Sequence, residues 1–181
     1  DGTPSGPGNV GRIFLRAEGG NDVLNGEVSN LDANVDARLY HSILPRFGFA
    51  HRIVAGTSQG SLPNVFLLGG NLSFRGFGFD DLEGQNYWVF SEDMRVPVFD
   101  FVGAKFFDPV DYVLGAFTRF FDIRSGLYGD VGQVWYNGAN PDLEYSVGYF
   151  VNVPTLLGIN FRFNQGFLGR KNIGIWLGSN W

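Results

Sequence analysis

Arg75 is the residue whose surroundings ask most for an explanation. It lies in LLGGNLSFRGFGF (residues 67–79), between glycines and aromatics, in a stretch whose turn-forming residues predict a loop. A guanidinium folded inward among such neighbours costs several kcal/mol unless carboxylates lie within hydrogen-bonding reach. Two later segments each bring one. SEDMRVP (91–97) carries Asp93, and YGDVGQVW (128–135) carries Asp130. Asp93 and Asp130 are therefore the candidate partners, and an arginine paired with carboxylates in this way would be held in a fixed, multidentate clasp.

Other residue types that could do chemistry are placed less well for it. Gly56-Thr57-Ser58-Gln59-Gly60 spells GxSxG, but a nucleophile elbow needs a strand, a sharp turn, a helix and a later histidine, and no histidine follows Ser58. His41 and His51 fall on neighbouring predicted strands, where a cross-strand or surface pair is the expected role. A zinc site would need three or four ligands and a second shell. The Asn21–Asp36 stretch lacks the acid spacing of a calcium loop. Asp80, Asp81 and Glu83 have nothing beside them to separate their proton affinities, as an acid/base pair requires. The chain is therefore expected to be no enzyme, with no cofactor and no metal.

The elements that must position the clasp are strands. Twenty-seven glycines and 19 phenylalanines against 17% charged residues describe a chain rich in turn and strand formers. Eight strands are predicted, at about 10–18, 34–44, 47–57, 87–98, 122–135, 144–153, 158–167 and 172–181, with no helix between them. Residues 19–33 and 58–86 read as long loops. Pro45-Arg46 and Thr155-Leu156 read as short turns, and residues 99–121 fit no strand. The 181 residues suit one domain, with residues 1–8 linker-like, as at a junction with something upstream. A net charge of -5 without a basic run argues against nucleic acid, and the absence of cysteine excludes a disulfide framework.

The strands are two-faced. Ile159, Phe161 and Phe163 alternate with Asn160, Arg162 and Asn164. Tyr145, Val147, Tyr149, Val151 and Val153 alternate with Ser146, Gly148 and Asn152. By the same parity Asp93 shares a face with Ser91 and Arg95, and Asp130 shares one with Tyr128 and Arg124. Arg38, Arg52, Arg95, Arg124 and Arg162 all fall within predicted strands, a pattern that suits a wet barrel interior with paired charges. A soluble β-sandwich would give the same alternation.

Three segments in this order resemble the signature of the Omp85 superfamily of outer-membrane barrels. Phe74, Arg75, Gly76 and Phe77 match its (I/V)RG(F/Y) loop motif, with Phe74 in place of the branched aliphatic. Asp93 matches the first acid. Tyr128, Asp130 and Gly132 match its (F/G)xDxG strand motif, with Tyr128 in place of Phe or Gly. Residues 146–167, SVGYFVNVPTLLGINFRFNQGF, look like the region that follows. Asn172, Gly174, Leu177 and Trp181 in the final segment resemble the terminal signal that outer-membrane assembly reads.

The resemblance implies an antiparallel transmembrane β-barrel of the bacterial outer membrane, in which the Arg75 loop folds inside and pairs with Asp93 and Asp130. It implies insertion of β-barrel proteins, or passage of polypeptides across the membrane. The partners would be outer-membrane lipid, an unfolded polypeptide client, and periplasmic or lipoprotein accessory subunits. Eight strands close too small a barrel to hold a loop, so either the chain is half of a longer one, or two copies share a barrel, or strands from another chain complete it; the first, the C-terminal half of a barrel of about sixteen strands, is the expectation. The alternatives are a barrel that anchors or displays a fused upstream domain, and a soluble sandwich that binds a ligand.

Overall fold

The computed structural model describes residues 8–21, 29–44, 47–96, 124–154, 160–169 and 173–178. In chain order the elements are β1 (Gly8–Asn21), β2 (Ser29–Leu44), β3 (Phe47–Gly60), β4 (Phe66–Leu68), α1 (Gly70–Ser73), β5 (Leu82–Gly84), β6 (Asn86–Val96), β7 (Arg124–Trp135), β8 (Glu144–Pro154), β9 (Asn160–Gly169) and β10 (Ile173–Gly178). Eight of them form one antiparallel sheet in the order β1-β2-β3-β6-β7-β8-β9-β10. The protein is all-β, and all eight expected strands are present in sequence order.

Two expectations are corrected. Most of the loop expected at residues 19–33 is strand, because β1 continues to Asn21 and β2 begins at Ser29. Of the residues that suggested a loop, Asn30 and Asp32 belong to one face of β2, alternating with Leu31 and Ala33. The stretch 58–86 is not bare loop either. β3 runs to Gly60, and the connection to β6 carries the β4–β5 ribbon and the single-turn helix α1, so a short helix does separate two strands. The expected turns at 45–46 and 155–156, the segment 99–121, Asn172 and Trp181 lie outside the described residues.

The two sheet faces differ in what they bury and what they expose. One face carries Asp32, Ser58, Asp93, Asp130, Ser146, Arg162 and Asn164, all buried. The other exposes Ile13 (70%), Leu15 (79%), Leu39, Ile53, Phe90, Leu127, Tyr149, Ile173 and Ile175 (75%). Polar side chains on this second face are joined to their register partners: His51 Nδ1 lies 2.5 Å from Glu92 Oε2, Trp88 Nε1 donates to Gln133 at 2.9 Å, and Tyr149 Oη donates to Gln165 at 2.6 Å.

The first face is covered by the β3–β6 connection. Leu68, Phe74 and Phe77 from that connection pack with Val54 of β3 and Tyr87 and Val89 of β6, and Phe66, Leu82 and Val134 border the cluster. Full burial of a large apolar side chain is worth roughly 1.5–3 kcal/mol, so this cluster alone gives the connection a strong preference for the inner face.

Candidate functional site

The site begins with a turn. Ser73 anchors it by accepting from the Gly69 N–H and donating to the Gly69 carbonyl, both at 2.7 Å. Gly76 has φ 85°, the left-handed region that disfavours other residues, and it turns the chain so that the Phe74 and Phe77 rings pack in a tilted pair, their centres 4.6 Å apart. Asp81 closes the outer end by accepting from the Gly78 N–H at 2.5 Å. These contacts leave Arg75 directed at the sheet.

Arg75 is 5% exposed and is held on three sides. Its backbone N–H and its Nε both donate to Asp130 Oδ2 at 2.8 Å, and Nη2 donates to Asp130 Oδ1. Nη1 donates to Asp93 Oδ1. The guanidinium carbon lies 4.4 Å from the centre of the Tyr128 ring, so the two aspartates take its edges and the tyrosine takes its face. Burial alone would lower the pKa of Arg75, but the charges of Asp130 and Asp93 outweigh it and raise the pKa.

The strands position the acids by parity. Asp93 faces inward from β6 and Asp130 inward from β7, where Asp130 is the register partner of Ser91. Tyr128 is two residues before Asp130 on the same face and pairs with Asp93. Gly132, two residues after, lets β7 approach β6, because a Cβ there would lie 2.3 Å from the Trp88 carbonyl oxygen. The structure thus brings Phe74, Arg75, Gly76, Phe77, Asp93, Tyr128, Asp130 and Gly132 into one region.

Arg162 joins this cluster, although its sequence position suggested only a strand arginine. Its Nη2 donates to Asp93 Oδ2 at 3.0 Å and its Nε to Asn164 Oδ1 at 3.0 Å, with the guanidinium 4.3 Å from the centre of the Phe150 ring. Arg75, Arg162, Asp93 and Asp130 make a neutral quartet, which a buried charge cluster needs. The available signal was electrostatic: one buried arginine between two aspartates leaves a negative charge, and Arg162 shares the inward parity of Asn164. Phe150, buried on the otherwise polar face of β8, carried no such signal.

A second clasp sits beside the first. Arg38 donates to Asp36 at 2.9 and 2.7 Å, and Arg52 donates to the same carboxylate at 3.3 and 2.9 Å. A cavity of about 30 Å³ lies between the two clasps, lined by Arg38, Arg52, Arg75, Asp93, Arg95 and Arg162 among others.

The remaining candidates do not converge. Ser58 lies in β3, fully buried, with its Oγ donating to Asn30 at 3.3 Å and accepting from the Asn64 N–H at 2.7 Å. The strand-turn-helix of an elbow is not formed there. His41 and His51 are not register partners: His41 pairs with Phe49 and His51 with Leu39, and their rings bond Asn9 and Glu92 instead. No cluster of three metal-ligating side chains occurs among the described residues. Asp80, with φ 58°, and Asp81 serve the turn after the loop motif, and Glu83 lies on β5. Gly174 and Leu177 lie on β10, away from the quartet in sequence. No protein-family model matches the chain, and no curated protein matches it.

Proposed function

We propose that this chain is the C-terminal half of an Omp85-like outer-membrane β-barrel, which inserts barrel proteins into the membrane or passes polypeptides across it. The observation that carries the proposal is Arg75, held inside the curve of the sheet by Asp93 and Asp130 from an inward-folded loop. A clasp at those positions is what the sequence resemblance implies.

The outward face supports the membrane part of the reading. Crossing the hydrocarbon takes about 9–11 tilted strand residues. β1, β2, β3, β6, β7, β8 and β9 have 14, 16, 14, 11, 12, 11 and 10. An apolar face exposed along such strands suits lipid, and hydrogen-bonded register partners are what polar side chains need where no water can satisfy them.

In this reading β1 and β10, the two ends of the sheet, pair with further strands to close a barrel of about sixteen. The clasp fixes the loop within it, and the working partners are lipid, an unfolded client and accessory subunits. The test is reconstitution of the protein in lipid vesicles, scoring assembly of a barrel client and protease protection of a translocated polypeptide. Activity that falls with Arg75→Ala supports the proposal. Quantitative recovery of the protein as a folded, water-soluble species without detergent overturns it.

A further inference from the structure

Asp93 uses its two oxygens for two different tasks. Oδ1 receives the loop arginine, and Oδ2 receives Arg162 at 3.0 Å. Arg162 is on β9, three strands away from β6 in the sheet order. At roughly 4.8 Å per strand a flat sheet would separate the two backbones by about 14 Å, so the contact exists because the sheet curls around the loop. Arg162 is 5% exposed, and Asn164 and the Phe150 ring hold its fork in place.

β9 leads to the last strand of the sheet. β10 has six residues, each in register with β9, and no other described strand borders it. A second element comes near it, because the backbone of α1, the helix immediately before the loop motif, runs close to that of β10. The inward loop therefore reaches the terminal β9–β10 pair in two ways: the backbone of α1 lies near that of β10, and Arg75 is linked to Arg162 through Asp93.

We infer that the inward loop braces the terminal strand pair, and that Arg162 is the positioning residue that links the seating of the loop to the order of β10. Coupling of this kind is reciprocal. Whatever unpairs or re-pairs β10 loosens the loop, and whatever unseats the loop loosens β10 by the same factor. Under the proposed function β10 is the edge at which another strand pairs, so the loop senses occupancy of that edge. The identity of the edge's partner rests on that reading, whereas the coupling itself rests on the contacts alone.

Hydrogen exchange on the full chain in micelles tests the coupling without any transport assay, so its failure is distinct from failure of the proposed function. Arg162→Met with Asp93→Asn removes the link while leaving Arg75 and Asp130 as a neutral pair. Amides of β10 should exchange about tenfold faster with β2 and β3 unchanged, and the loop, which loses its Asp93 contact, should become more protease-sensitive in step. Arg75→Met with Asp130→Asn releases the loop and leaves Asp93 and Arg162 paired, and here too β10 should exchange faster. Arg162→Lys keeps the charge without the fork and should give an intermediate rate; it also serves if either double variant fails to fold. Exchange of β10 that stays within twofold of the parent overturns the inference, and so does acceleration spread evenly over all strands.

Discussion

Replacing Arg75 with alanine leaves Asp130 buried with none of the three hydrogen bonds it accepts from Arg75 except that of the backbone N–H. Asp93 keeps Arg162, so the cost falls mainly on Asp130. Two charge-assisted bonds at about 1.5–3 kcal/mol each, or about 3–5 kcal/mol for a buried pair broken on one side, set the scale. At roughly 1.4 kcal/mol per decade, about 3–5 kcal/mol should raise the open-loop population by about two to three and a half decades. Chymotrypsin reads this population, because Phe74 is 0% and Phe77 3% exposed in the seated loop and cleavage tracks opening where reclosing is fast. The parent should resist cleavage after Phe74 and Phe77, and Arg75→Ala should be cut at those two sites about 10²-fold faster or more, whereas Phe79, already exposed, reports nothing about opening. Arg75→Lys, which keeps the charge but not the bidentate fork, should fall between the two. Adding Asp130→Asn to Arg75→Ala should recover part of the loss, since a neutral amide costs less to bury unpaired. Cleavage of Arg75→Ala within twofold of the parent would refute the clasp as the loop's principal restraint.

Other perturbations separate the parts of the argument. Phe74→Ala should cost about 3–5 kcal/mol of loop stability through the cavity it leaves, measured by the same cleavage assay. Gly76→Ala forces a side chain into the left-handed region and should cost about 1–2 kcal/mol, read as a lower denaturant midpoint for loop release. Phe90→Lys puts a charge on the exposed apolar face, and it should lower folded yield in lipid vesicles by an amount equivalent to about 2–4 kcal/mol. Equal yields of that variant and the parent in vesicles would count against a lipid-facing surface.

The positions of Asp93 and Asp130 were legible because strand parity is local. A residue's face follows from counting by twos, so both acids could be assigned to the inner face before their partners were known. The extra length of β2 was harder to read, because Asn30 and Asp32 belong to its inner face, where Ser58 and Asn64 bond them. In a water-soluble sheet the same residues would signal a solvent-facing loop. His41 and His51 were assigned to neighbouring strands but not to a register, and the register separated them.

By itself the sequence determined the all-β class, the number and order of the main strands, their two faces and the need of Arg75 for carboxylates. All of these follow from short-range alternation and from the cost of burying an unpaired charge. Only the tertiary structure decided that Arg162 shares Asp93 with Arg75, that Phe150 lies beneath Arg162, and that α1 runs close to β10. Those contacts join Asp93 to Arg162, 69 positions apart, and bring Gly70–Ser73 near Ile173–Gly178, and they depend on how tightly eight paired strands curl, which no local pattern encodes.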